Sequence, residues 1–151
     1  MAPDVRFYVD EDTLHLGKAM AAVRDDIVHP GHIRCPVPRG ALDPQWLPVV
    51  GDRDWLLISR DKRLRTNPVE KMKLIDVGIR AVILTSAGNM NRWEQLRLVV
   101  RYWDQIEDLT SQPGPFVHSL TAGGVSAQPL RDPRNKAAGA SPDSPDSPAT
   151  A

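Results

Sequence analysis

Apolar residues recur along the chain in two alternating rhythms, short continuous runs and longer stretches at helical spacing. Val5 to Val9, VRFYV, reads as a first strand, and Leu16, Ala19, Met20 and Val23 follow on one helical face. DIVH adds a short second strand, after which HPGHIRCPVPRG fits neither period, so His29 to Leu42 reads as a long loop. DPQWL starts a helix with Asp43 as N-cap and Pro44 at the first helical position, and Pro48 should bend or shorten it. Trp55 to Ser59 form the next strand. NPVE repeats the start signal, with Asn67 as cap and Glu70 as its capping-box partner, and Gly78 is a plausible stop. Ala81 to Thr85 is a further strand. Asn91 with Glu94 opens the longest helix, with Trp93, Leu96, Val99, Val100, Trp103 and Ile106 on one face. FVHSL closes the series as a strand at a sheet edge. The tryptophans at 46, 55, 93 and 103 lie at core periodicities and read as packing.

Strands separated by helices imply βαβ units, hence an α/β fold: three layers, α/β/α, around a mostly parallel central sheet. In such sheets ligands bind outside the carboxyl ends of the strands, where the strand order reverses. Ala127 to Ala151 holds five prolines, six alanines and a single large aliphatic residue, Leu130. That composition cannot offset its ordering entropy, so the reading is a folded domain over 1–126 and a disordered tail over 127–151.

Composition narrows the function classes. Lys+Arg and Asp+Glu both number 19, so no net field draws nucleic acid or anionic lipid and any anionic partner must be held by a local patch. Cys35 is the only cysteine, which excludes an internal disulfide and a cysteine-built zinc site and fits a reducing, cytoplasmic setting. The charged start MAPDVRFYVDEDT does not resemble a signal peptide, and no 18-residue apolar run suggests a membrane span.

The candidate chemistry is acidic. In a parallel sheet Asp10 and Asp61 project from one edge, Asp12 can turn back to that side, and Glu11 points away. Asp43 joins them only if its helix begins at the same edge. Gathered carboxylates repel and take up protons unless a cation compensates. All-oxygen ligands suit Mg²⁺ or Mn²⁺, which can activate water and stabilise the oxygens of an in-line phosphoryl displacement. Arg60, Lys62, Arg63 and Arg65 surround Asp61 and offer phosphate a net positive patch. His29 and His32 form H-x-x-H, but Pro30 and Gly31 forbid the helix that would align them, so they read as loop residues; Cys35 reads as structural.

Three families place aspartates at such strand ends. FYVDEDT resembles the first motif of haloacid-dehalogenase-type phosphatases, with Asp10 as nucleophile and Asp12 as acid, but the only lysine beyond Lys73 is Lys136. A response-regulator receiver would use Asp10, Asp12 and the phosphoacceptor Asp61, and needs the same lysine. The broader resemblance is to PIN-like nucleases, particularly bacterial single-domain proteins related to VapC-type toxins. It runs through RFYVDEDTLHLGKAM, LDPQWLPVVGDRDWLLISRDKRL, RWEQLRLVVRYWDQIE and GPFVHSL, and ISRDKRL resembles their T-R-D-x-x-[FIL] signature with Ser59 for threonine.

That resemblance implies a metal-dependent endoribonuclease, with Asp10 and Asp61 catalytic and Asp10, Asp12, Asp43 and Asp61 as ligands of Mg²⁺ or Mn²⁺. Arg60, Lys62, Arg63 and Arg65 would grip RNA phosphates. An antitoxin partner and a homodimer are further expectations of the family. The family also carries a glutamate in the segment after the second strand, whereas here no glutamate lies between Glu11 and Glu70. A catalytically weak nucleic-acid-binding module is the alternative this departure suggests, and the phosphatase or receiver is a third.

Overall fold

A computed structural model describes residues 3–85 and 90–135. In chain order its elements are β1 (Phe7–Val9), α1 (Leu14–Ala21), β2 (Ile27–Val28), α2 (Asp43–Asp52), β3 (Leu56–Ser59), α3 (Arg63–Thr66), α4 (Pro68–Asp76), β4 (Arg80–Leu84), α5 (Arg92–Arg101), α6 (Trp103–Asp108), β5 (Phe116–Thr121) and β6 (Gly124–Gln128).

Every residue of β1, β3 and β4 is buried, because successive side chains point to opposite faces and both faces are covered. Phe7, Val9, Leu56, Ile58, Val82 and Leu84 pack on one side with Leu16 and Met20 of α1, Leu98 and Val99 of α5, and Trp103 and Ile106 of α6. Tyr8, Leu57, Ala81 and Ile83 pack on the other with Trp46, Leu47 and Val50 of α2, Leu64 of α3 and Leu74 of α4. The three layers expected from the sequence are these.

The sheet order is β2-β1-β3-β4-β5-β6, parallel through β5, with β6 antiparallel to β5. From β1 the chain first steps outward to β2 and then returns to the opposite side as β3. The reversal between β1 and β3 opens a crevice at their carboxyl ends, next to Asp10 and Asp61.

Local departures from the sequence reading have physical causes. Helix α2 begins at Asp43, with Leu42 as its N-cap, and runs through Pro48 to Asp52. The expected long helix divides at Tyr102, and the second half brings Trp103 against Phe7 with ring centroids 4.7 Å apart. That redirection leaves Trp93 and Val100 at 64% and 56% exposure, so they are not core residues. FVHSL lies inside the sheet, because Gly124–Gln128 returns as an outer antiparallel strand. The domain boundary read near Ser126 falls within that strand: Leu130 packs on the second core, and Arg134 pairs with Asp76 at 2.6 Å. Positions 136–151 of the expected tail, and Ser86, lie outside the described residues.

Candidate functional site

The site is set by the last hydrogen bond of the β1–β3 ladder. The Asp10 amide donates to the Ile58 carbonyl at 2.9 Å, so the residues that follow each strand emerge side by side. After β1 the chain makes one 3-10 turn, Glu11–Thr13, in which Asp10 Oδ1 accepts from the Glu11 amide at 2.7 Å. This turn returns Asp12 to the side of Asp10 and sends Glu11 away, where its carboxylate accepts from the Gly40 amide at 2.7 Å.

Ser59, the last residue of β3, bridges the two acids. Its Oγ lies 3.2 Å from Asp10 Oδ2 and 3.0 Å from Asp12 Oδ2, and accepts from the Asp61 amide at 3.0 Å. A hydroxyl has one proton to donate, so it can satisfy only one carboxylate as donor; the other contact requires a protonated acid. Burial and the neighbouring Asp12 charge push Asp10 up to about 7, so this pair binds a proton more readily than free carboxylates do. Asp12 is also raised, by burial, while the Ser59 hydroxyl and the Arg60 amide, donating at 3.1 Å, oppose the rise.

Asp61 stands differently. Arg63 donates to it from Nε at 2.9 Å and Nη2 at 2.7 Å, a bidentate pair that holds the Asp61 carboxyl below its ordinary range. Asp43 is in a neighbouring group: its Oδ1 accepts from Trp46 Nε1 at 3.1 Å, and its Oδ2 lies 3.8 Å from Lys73 Nζ. Lys73 also pairs with Glu70 at 3.2 Å. Asn67 caps α4 as expected, but Glu70 does not reciprocate; its side chain is turned inward, and Oε1 is buried with no partner among the described residues. The structure therefore brings Asp10 and Asp12 together, and places Asp61 beside them on an arginine and Asp43 on a lysine. Among the described residues no three carboxylate, histidine or cysteine side chains converge as one ligand set.

Of the basic run, Arg60, Lys62 and Arg63 line a shallow cavity with Asp12 and Asp61, whereas Arg65 has a buried Nε. His29 and His32 stay in their loop on local backbone contacts, and burial pushes the Cys35 thiol up, away from nucleophilic character.

A family model described as PIN like domain matches residues 5–86, more than half of the chain. The chain belongs to the PIN like domain family. No curated protein and no solved structure matches it significantly. The matched span includes the strand ends bearing Asp10, Asp12 and Asp61, and also the FYVDEDT motif that resembles phosphatases. As a PIN like domain the chain is a nuclease-type module by family. Among the described residues no helix is long and apolar enough to cross a membrane.

The donor atoms of this PIN like domain suit a hard divalent cation. They are all oxygen, and Asp10 is driven toward protonation by burial beside a like charge, the condition a cation relieves. Sequence reasoning undervalued Ser59, visible only as a signature position, and read Glu70 as a cap. It also missed Lys18, Arg39 and Arg92, which line a larger cavity on the far side of Asp12, come from separate elements and share no motif.

Proposed function

We propose that this PIN like domain is a metal-dependent endoribonuclease, acting as the toxin of a toxin–antitoxin pair. The observation that carries the reading is the Asp10–Ser59–Asp12 cluster at the sheet's switch point, two buried carboxylates on one hydroxyl beside a basic run. Asp10 and Asp12 would hold Mg²⁺ or Mn²⁺, with Asp61 as the adjoining acid and Asp43 farther out. Bound there, the ion would supply a water nucleophile and charge stabilisation at the scissile phosphate. The chain's own residues do the rest. Ser59 orients both carboxylates, the Arg60 amide fixes Asp12, and Arg60 and Lys62 hold the phosphate backbone. Arg63 holds Asp61 through Nε and Nη2, which leaves Nη1 to reach a phosphate. An antitoxin covering the acidic edge, a homodimer and a cytoplasmic location belong to the same reading.

A catalytically weak RNA-binding module is the second reading. It is favoured by Asp61 and Asp43 being committed to Arg63 and Lys73. Incubating single-stranded RNA with wild type, Asp10→Asn and Asp12→Asn, with Mn²⁺ or with chelator, decides between them. The nuclease should lose at least about 100-fold in rate with either substitution, and all cleavage with chelator. Binding without cleavage by the wild type would select the module, and cleavage that survives chelator and both substitutions would defeat the metal reading.

A further inference from the structure

Two cavities meet at Asp12. The shallower one, 480 Å³, carries Lys62 and Arg63 on the α3 side, while the larger, 710 Å³, lies on the α1–α5 side. Asp12 and Arg60 line both. The larger cavity brings together Lys18 of α1, Arg39 of the long loop, Arg60 after β3 and Arg92 at the start of α5. These four residues are far apart in sequence and converge only through the fold. Arg39 is partly offset by Glu11 at 3.8 Å, and among the described residues Lys18, Arg60 and Arg92 have no ion pair. Unpaired cations around a concave surface make an anion site, and the four cations on separate elements together offer charge for more than one phosphate.

The floor of this cavity is organised. Gln95 is buried, and its Nε2 donates to the Met90 carbonyl at 3.0 Å, which fixes its Oε1 as the acceptor side of the amide. Oε1 then takes the Thr13 hydroxyl at 3.3 Å and His15 Nε2 at 3.1 Å. His15 therefore carries its proton on Nε2, and in the neutral ring Nδ1 is left as an acceptor. Cations at the rim and a positioned acceptor on the floor match a nucleotide's two ends, phosphate and hydrogen-bond donor.

We propose that the α1–α5 cavity is the binding track for one flank of a single-stranded RNA, with Lys18, Arg39 and Arg92 on its phosphates and His15 accepting from a base amino group or ribose hydroxyl. The α3 side then takes the other flank, and the strand crosses Asp12 at the join. This rests on the nuclease reading for the kind of partner. A concavity of small-molecule size suits a single strand, whose nucleotides can be splayed into it.

The test separates binding from cleavage by working in Asp10→Asn with chelator, following a 5′-fluorescein 12-nucleotide RNA by anisotropy. Lys18→Ala with Arg92→Ala should weaken binding about tenfold or more, and flatten the plot of log Kd against log salt by about 1.4, two single-strand phosphate contacts. His15→Ala should weaken binding several-fold without changing that slope. A duplex of the same sequence should bind less tightly than the single strand. Unchanged affinity and slope in the double variant, with an unaltered melting temperature, would overturn the proposal, as would absence of RNA binding by Asp10→Asn and wild type alike. Binding that depends on Lys18 and Arg92 without cleavage by wild type would leave the track standing and remove only the nuclease reading.

Discussion

Ser59 places a single hydroxyl between two buried carboxylates, Asp10 and Asp12. Because the folded protein holds Asp10 up to about 7, the side chain contributes stability that is complete below the ordinary carboxylate range and is lost as pH rises through about 7. Asparagine resembles the neutral acid and cannot ionise. Asp10→Asn should therefore melt close to wild type near pH 4 and progressively higher than it as pH approaches 8, by about 2 kcal/mol or roughly 5 °C in the absence of divalent ions. Paired melting curves across that range check it, since the opposite contributions of Asp61 with Arg63 and Asp26 with Arg24 are common to both proteins. A gap that stays constant with pH would mean that Asp10 is already ionised in the folded state.

At the scale of elements, helices are seated by close approaches that propensity does not reveal. Gly51 lies within α2 where a Cβ would overlap the Val77 carbonyl oxygen and come within 3.2 Å of the Val77 Cβ. Alanine at this position gains about 1 kcal/mol of helix propensity in isolation. The overlap is with backbone, which cannot swing aside, so Gly51→Ala should be net destabilising by about 1–3 kcal/mol in urea unfolding. A neutral or stabilising result would place α2 farther from the turn after α4. The longest apolar period in the sequence is likewise divided: the helix is interrupted at Tyr102, and Trp103 beyond it packs on Phe7 of β1.

For the whole molecule, the question is where the cooperative unit ends. Composition places the end near Ser126, yet β6 runs to Gln128, Leu130 covers the second core and Arg134 reaches Asp76. A chain ended after Ser126 should melt roughly 5 °C below one ended after Asn135, because it loses strand pairing, a packed aliphatic residue and an ion pair. Equal melting temperatures would return the boundary to the position that composition suggests. The misreading has a simple source: proline-rich composition averages over a segment whose first residues are held by contacts made elsewhere in the chain.

The sequence by itself determined the existence of the strands found at Phe7–Val9, Leu56–Ser59 and Arg80–Leu84, to within two residues at their ends, the three-layer α/β class, and the emergence of Asp10, Asp12 and Asp61 from one edge. Those features follow from local periodicity and from the parallel rule, both of which are written in consecutive residues. Only the tertiary structure decided that Ser59 joins Asp10 to Asp12, that Arg63 takes Asp61, that Glu70 turns inward toward Lys73, and that Lys18, Arg39 and Arg92 share a cavity. Hydrogen bonds and cavities form between residues distant along the chain, and their partners are fixed by sheet order and helix placement, which no single stretch of sequence contains.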